Sequence, residues 1–167
     1  MKLIPLSEKA GAGKSAIVDD DFIDTGLKWT LNSVGYPYQR VRVGPRALNQ
    51  RKTVLMHRYV IGAAKGQIVD HINRNKLDCR RENLRICTQS SNVSHAPGWR
   101  DGRRNSRFKG VYKTSSGKWF AELRLPSHRS KVVRSTRLNS QEEAAAAYDV
   151  LVAQHRDQFA FRNNHGV

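Results

Sequence analysis

The chain has 167 residues, and its 30 lysines and arginines against 14 aspartates and glutamates give a formal charge of +16. So large a basic excess indicates a polyanionic partner, usually nucleic acid, rather than a membrane surface. The sequence has no apolar run near the roughly 18 residues that span a bilayer, and residues 1–14 lack a signal-peptide core, so we expect a soluble cytoplasmic protein. The two cysteines, Cys79 and Cys87, match neither a disulfide framework nor a zinc ribbon.

Residues 1–50 form a first stretch whose pattern predicts strands. The apolar residues 16–18 run into three aspartates, which predicts a strand followed by a helix start. Apolar and polar residues then alternate over residues 29–43, as they do in half-buried strands. Residues 10–15 resemble a phosphate-binding loop, but the first glycine of that motif would fall at Glu8, so we expect no nucleotide cofactor.

The second stretch, residues 51–96, carries the pattern that points to chemistry. The apolar spacing of residues 54–61 predicts a helix, and residues 67–72 and 84–87 predict two short strands joined by a polar loop. Thr88 is then a suitable N-cap for a short helix that carries Asn92.

A strand hairpin with a helix packed across it can bring Asp70, His71 and Asn92 into one site. Two oxygen ligands beside a neutral imidazole fit a divalent cation and a general base. Phosphodiester hydrolysis needs those two parts, so the segment is a candidate nuclease site.

At these residues the sequence resembles the HNH nuclease family, in particular its phage and intron-encoded homing type. The Asp-His-Ile-Asn run at 70–73, the Glu-Asn-Leu-Arg run at 82–85 and the asparagine at 92 keep the family's spacing. The resemblance implies a ββα-metal (His-Me finger) core. In it, His71 activates water, Asp70 and Asn92 bind one Mg²⁺ or Mn²⁺, and Asn83 braces the loop behind His71. Beside such a site, we expect Arg85 to contact a DNA phosphate.

The third stretch predicts a three-stranded antiparallel sheet packed on one helix. Residues 108–112, 117–124 and 131–134 predict the strands, and residues 140–156 predict the helix. Ser140 with Glu143 predicts a capping box at its start. The predicted apolar stripe consists of Ala144, Ala147, Tyr148, Leu151 and His155. Together with the hairpin and helix before it, this pattern predicts an α+β protein.

This third stretch resembles the Apetala-type (ethylene-response-factor) DNA-binding domain, which also follows HNH nucleases in phages. The shared features are Lys-Gly-Val at 109–111, Gly-Lys-Trp at 117–119, Glu-x-Arg at 122–124 and an asparagine at 163 or 164. The resemblance implies that the sheet lies in the major groove of duplex DNA. Arg124 is the first contact candidate, because a guanidinium can bind guanine through two hydrogen bonds. The other candidates are Lys109, Tyr112, Lys118, Glu122 and Arg134.

The predicted domains are an N-terminal strand-rich segment (1–50), an HNH nuclease domain (51–96), a linker (97–107) and an Apetala-type DNA-binding domain (108–167). The expected function is that of a phage-encoded, homing-type, metal-dependent endonuclease, which cuts duplex DNA as a monomer in the host cytoplasm. The alternative is a non-catalytic, sequence-specific DNA-binding protein, such as a transcription regulator, that retains the nuclease fold. Both bind DNA in a salt-sensitive way, so metal-dependent cleavage separates them.

Overall fold

The structure is a computed structural model, and it describes residues 1–7, 12–46, 49–97, 106–125 and 131–163. Its helices and small antiparallel sheets confirm the predicted α+β class. The chain divides into two compact units, Met1–Thr88 and Gln89–Val167. Most of the predicted linker and Asn164 lie outside the described residues. No helix in the described part of the chain is long and apolar enough to cross a membrane.

The first unit begins with a two-stranded antiparallel sheet formed by β1 (Lys2–Pro5) and β2 (Ser15–Val18). A three-stranded antiparallel sheet comes next, in the order β3 (Thr30–Leu31), β4 (Pro37–Arg42), β5 (Arg51–Leu55). Helix α1 (Met56–Val60) continues directly from β5. The strands that the alternation over residues 29–43 predicts are therefore present, as β3 and β4.

Two local predictions in this unit differ from the structure: one helix is present with other bounds, and the other is not formed in the described residues. The predicted helix over residues 54–61 is shorter in the structure, because its first two residues pair with β4 as part of β5. The helix start predicted at the aspartates after β2 is absent from the described residues there, which form a turn. Asp19 and Asp21 form ion pairs with Arg81 instead of beginning a helix.

One hydrophobic core holds the first unit together. Trp29 and Met56 are among its largest fully buried side chains, and Cys79 packs with them. Beside this core, the backbone of Ile17 in β2 exchanges hydrogen bonds with the segment around Cys79, with N–O distances of 2.8 Å. Burial of these apolar side chains joins β1, β2 and β3 to the segment around Cys79 in one hydrophobic core.

The segment after α1 contains an antiparallel hairpin of β6 (Ile68–His71) and β7 (Leu84–Cys87), with a 3₁₀ turn (Arg81–Asn83) before β7. These strands match the two that the sequence predicts. Their register places Asp70 opposite Arg85. His71 is the last residue of β6, so its side chain lies where the strand gives way to the loop.

The second unit starts with helix α2 (Gln89–His95), directly after Thr88 as predicted. The next element is an antiparallel sheet in the order β10 (Val132–Arg134), β9 (Trp119–Arg124), β8 (Val111–Lys113). Helix α3 (Gln141–His155) comes last, and Ser140 and Glu143 form the predicted capping box.

Helix α3 packs on the sheet through Tyr148 and Val152, which form a core cluster with Ala121 and Leu123 of β9. His155 was predicted on this stripe but is exposed. His155 is the last residue of α3, so its side chain lies at the exposed end of the buried row. Gly110 has φ +69°, and a Cβ there would lie 2.0 Å from the Tyr148 ring, so this position requires glycine.

Candidate active site and nucleic-acid interface

His71 is a buried imidazole at the end of β6. Its Nε2 is buried and has no hydrogen-bond partner among the described residues. Burial lowers the pKa of His71 below its ordinary value of 6.5, and the negative charges of Asp70 and Asp78 oppose that shift. The imidazole is therefore neutral near pH 7, the form that accepts a proton.

Asn83 is bonded to the start and to the middle of the loop that comes after His71. Its Oδ1 accepts a hydrogen bond from the backbone N–H of Asn73 at 2.8 Å, and its Nδ2 donates to the carbonyl of Asp78 at 2.7 Å. The backbone N–H of Ile72 also donates to the Asn83 carbonyl at 2.8 Å. Because Asn83 is buried, these bonds satisfy polar groups that water does not reach.

Asp78 adds an ionic anchor to the same loop, a role that the sequence pattern did not reveal. Its buried carboxylate pairs with Arg80 at 2.8 Å and accepts a hydrogen bond from Asn73 Nδ2 at 2.8 Å. The hydrogen bond from Arg80 lowers the pKa of Asp78 more than any other interaction does. The sequence signal was an aspartate two residues before an arginine, which is too common to single out.

His57 and Tyr36 form an aromatic wall beside His71. The ring centroids of His57 and His71 lie 5.1 Å apart, and Tyr36 lies 4.9 Å from His57 and 5.8 Å from His71. Burial, assisted by the nearby His71, lowers the pKa of His57 to about 4. The sequence analysis did not identify Tyr36 as a neighbour of His71. Strand alternation predicts the sheet face on which a side chain lies, but it does not predict which residues that side chain contacts.

Asp70 and Arg85, predicted as a metal ligand and a DNA contact, form an ion pair across the hairpin. Arg85 Nε and Nη2 donate to Asp70 Oδ2 at 3.0 and 2.7 Å. The two side chains are only 12% and 13% exposed, so the pair is shielded from water. The structure thus brings Asp70, His71 and Asn83 together in the first unit, whereas Asn92 lies on α2 in the second.

The predicted metal ligands are a carboxylate and an amide oxygen, on Asp70 and Asn92. Such oxygen donors suit Mg²⁺ or Mn²⁺, with water filling the remaining positions. Among the residues that the structure describes, no group of three or more His, Cys, Asp or Glu side chains is placed to hold a metal ion. The donor set therefore fits a hard cation with few protein ligands and does not fit structural zinc.

The outer face of the C-terminal sheet carries several of the predicted DNA contacts. Arg134 Nε and Nη2 each lie 2.8 Å from Glu122 Oε2. Phe120 stacks on Tyr112 with ring centroids 5.6 Å apart, and the Arg134 guanidinium lies 5.9 Å from the Phe120 ring. Arg124 is exposed at the end of β9. This face therefore offers aromatic surface and charge side by side.

Two lysines predicted to contact DNA have protein partners. The exposed Lys118 donates to the Asn139 side chain at 2.5 Å. The Lys109 ammonium donates to the carbonyls of Val93, Ser94 and Ala96, at the end of α2, at 3.3, 2.8 and 2.5 Å. Burial lowers the pKa of Lys109 to about 8, with a further contribution from the charge of Arg156. Sequence reasoning gave no sign of this contact with α2.

Residues 54–94 match the family model described as HNH endonuclease. The matched segment runs from β5 to α2 and contains Asp70, His71, Asn83 and Asn92. The match supports an HNH nuclease, a hydrolase whose substrate is DNA, and proteins of this family generally use divalent metal ions. No curated protein and no solved structure gives a significant match to the chain.

Proposed function

We propose that this protein is a phage-encoded, homing-type HNH endonuclease that cuts duplex DNA as a monomer with the help of a divalent metal ion. The observation that carries the proposal is His71, a buried neutral imidazole braced through Asn83 within the segment that matches the HNH endonuclease model. The formal charge of +16 supports a polyanionic substrate.

In the proposed reaction, the neutral His71 accepts a proton from the water that attacks the phosphorus. Asn83 keeps the loop, and hence the imidazole, in place. Asp70 and Asn92 would hold one Mg²⁺ or Mn²⁺, and that ion would supply Lewis-acid stabilisation of the negative charge that develops during hydrolysis. Arg85 orients the Asp70 carboxylate through their ion pair. We expect products with 5′-phosphate and 3′-hydroxyl ends.

For DNA binding, we propose an Apetala-type interface on the outer face of the C-terminal sheet. Arg124 is exposed there, so its guanidinium is the first candidate for a base contact in the major groove. The other proposed DNA contacts are Tyr112, Lys118, Glu122 and Arg134. Lys109 has a different role in this proposal, because its ammonium is bound to three carbonyls at the end of α2.

The alternative is a DNA-binding regulator without catalysis, and one observation favours it. The shielded Asp70–Arg85 ion pair neutralises the carboxylate that the reaction needs as a ligand. An arginine beside a ligand also occurs as an orienting partner, since outer contacts commonly fix a metal-binding side chain. A measurement of DNA cleavage, rather than the geometry of the site, distinguishes these two functions.

The test is cleavage of end-labelled plasmid and phage DNA with Mg²⁺, with Mn²⁺ and with EDTA. We expect cutting only with metal, and ends that a ligase rejoins directly. Asp70→Asn and Asn92→Ala should need more metal for half-maximal rate, whereas Asp20→Asn, which changes an exposed carboxylate paired with the N-terminus, should behave as wild type. A protein that binds DNA tightly and cuts nothing with either metal is a regulator, and the proposed function is then wrong.

A further inference from the structure

Helix α2 is attached to the C-terminal module, defined here as residues 106–163, through its first turn. Arg156 Nη1, just after α3, donates to Ser90 Oγ at 3.3 Å. On the next residue, the Ser91 hydroxyl donates to the Asp157 carboxylate at 2.5 Å. Both contacts join a side chain of α2 to a charged side chain just beyond α3. The start of α2 is therefore tied to the end of the module.

The other end of α2 is attached more firmly. The three carbonyls that accept from the Lys109 ammonium are among those that a helix leaves without intrahelical partners at its C-terminus. A cation at this end also interacts favourably with the helix dipole. In addition, the backbone N–H of Phe161 donates to the Ser94 carbonyl at 3.0 Å. Lys109 thus acts as a C-terminal cap supplied by another element.

Lys109 is itself held by the module. The Asn163 side chain accepts from the Lys109 N–H at 2.8 Å and donates to the Lys109 carbonyl at 3.0 Å. The N–H of Asn163 donates in turn to the Asp149 carboxylate in α3 at 2.7 Å. A continuous chain of hydrogen bonds therefore runs from α3 through Asn163 and Lys109 to the end of α2.

Helix α2 needs such support because its own sequence is weak. It has seven residues, of which four are serine or asparagine, and it has no acidic residue in its first turn. Isolated helices below roughly 12 residues are marginal in water, and serine and asparagine are poor helix formers. The contacts with the module therefore decide where α2 lies and whether it is formed.

We propose that Lys109 and Arg156 are positioning residues for the nuclease site, because the C-terminal module holds the helix that carries Asn92. This inference rests on the proposed function, in which Asn92 is a metal ligand. The matched nuclease segment ends at residue 94, whereas the second unit begins at Gln89, so the last helix of the motif belongs to the body of the C-terminal module. The C-terminal module then positions Asn92 in addition to binding DNA.

The first experiment compares Lys109→Met with Lys131→Met in the full-length protein. Both changes remove one positive charge from the module, but Lys131 is exposed and has no contact with α2 within the described residues. We measure kcat at saturating DNA, the Mg²⁺ concentration for half-maximal rate, and DNA affinity in EDTA. Lys109→Met should lower kcat or raise the half-maximal Mg²⁺ concentration by roughly 10–100-fold, as changes behind metal ligands usually do. Its DNA affinity should equal that of Lys131→Met.

A second pair of variants guards against general unfolding. Lys109→Arg keeps the cation and should restore most of the activity that Lys109→Met loses. Ser91→Ala removes one surface hydrogen bond and should shift the Mg²⁺ dependence in the same direction by a smaller factor. Amide hydrogen exchange should be faster in α2 of Lys109→Met and unchanged in β6 and β7.

The outcomes distinguish a failure of the proposed positioning role from a failure of the proposed nuclease function. If wild type cuts DNA and Lys109→Met keeps the kcat, Mg²⁺ dependence and α2 protection of Lys131→Met, the positioning role is wrong and the nuclease assignment stands. If DNA affinity falls in Lys109→Met while kcat and Mg²⁺ dependence stay unchanged, Lys109 is a DNA contact and the inference is also wrong. A wild type that cuts no DNA overturns the proposed function and, with it, this inference.

Discussion

The loop between β6 and β7 and the outer face of the C-terminal sheet are both rich in polar residues, yet they are built in opposite ways. In the loop, Asn83 and Asp78 are buried and their polar groups are bonded to the loop's own backbone and side chains. On the sheet face, Arg124 and Arg134 are exposed, and Arg134 lies beside the aromatic pair of Tyr112 and Phe120. A site that performs chemistry needs fixed geometry, whereas a surface that meets DNA needs reach and charge.

The largest effect should come from His71→Ala. Loss of a general base typically costs 10²–10⁴-fold in rate, so cleavage at saturating DNA should fall by roughly that factor. DNA affinity should hardly change, because the exposed charges of the sheet face remain. The matched control is His155→Ala, which changes an exposed histidine of α3. If His71→Ala keeps more than about a tenth of the wild-type rate, His71 is not the base.

Asn83→Ala should destabilise the protein, and Asn139→Ala should not. The first variant leaves a partly buried backbone N–H and a buried carbonyl without the side chain that pairs with them, which should cost about 2–4 kcal/mol of unfolding free energy. The second removes an exposed side chain that accepts from Lys118 and should change stability by less than about 0.5 kcal/mol. Urea unfolding gives both values. Equal losses would show that the loop is no more tightly built than the sheet face.

The buried His57 should make the free energy of unfolding depend on pH. The pKa of folded His57 is about 4 and its ordinary value is 6.5, so the unfolded chain binds more protons between these values. The contribution of His57 to stability should be constant above about pH 6.5 and fall as the pH drops toward 4, by up to about 1.4 kcal/mol per pH unit. Urea unfolding of His57→Gln should show a flatter slope in this range. An unchanged slope would mean that His57 titrates alike in both states.

On the sheet face, Arg124→Ala should weaken binding to the preferred DNA site by about 1–3 kcal/mol, the usual value of a two-bond base contact. Its effect on random DNA should be much smaller. Lys131→Ala serves as the control, since an exposed charge should alter binding to all sequences alike. Fluorescence anisotropy at several salt concentrations distinguishes the two. Equal losses on preferred and random DNA would make Arg124 a phosphate contact.

The same contrast explains what could be predicted from the sequence. Elements set by local rules were predicted correctly: the hairpin strands follow from apolar pattern, and the start of α3 follows from its Ser140–Glu143 capping box. His71 and Asn83 could be singled out because a spaced motif constrains several residues at once. The first and last residues of the elements were less predictable. Val54 and Leu55 show this, because they pair with β4 as part of a strand although their apolar spacing is that of a helix.

Partners that are distant along the chain could not be predicted. Arg85 was expected to contact DNA, and its pairing with Asp70 results from a strand register that only the folded hairpin sets. Lys109 matched a DNA-binding motif, and nothing local signals that its ammonium meets carbonyls 13 to 16 residues earlier. The attachment of α2 to the C-terminal module has the same cause, since Arg156 and Asp157 lie 66 residues after their partners Ser90 and Ser91. Long-range contacts, rather than composition, decide these roles.

The smallest effect should come from the Arg134–Glu122 ion pair. The Arg134 side chain is 60% exposed, so water screens the pair and its contribution to folding should be only about 0.2–1 kcal/mol. A double-mutant cycle of Arg134→Ala, Glu122→Ala and the double variant, measured by urea unfolding, gives the coupling directly. The same cycle on DNA affinity should give a larger coupling, because bound DNA excludes water from the pair and leaves an unpaired Glu122 facing phosphates. A coupling above about 2 kcal/mol in the free protein would instead show that this face is as rigid as the loop behind His71.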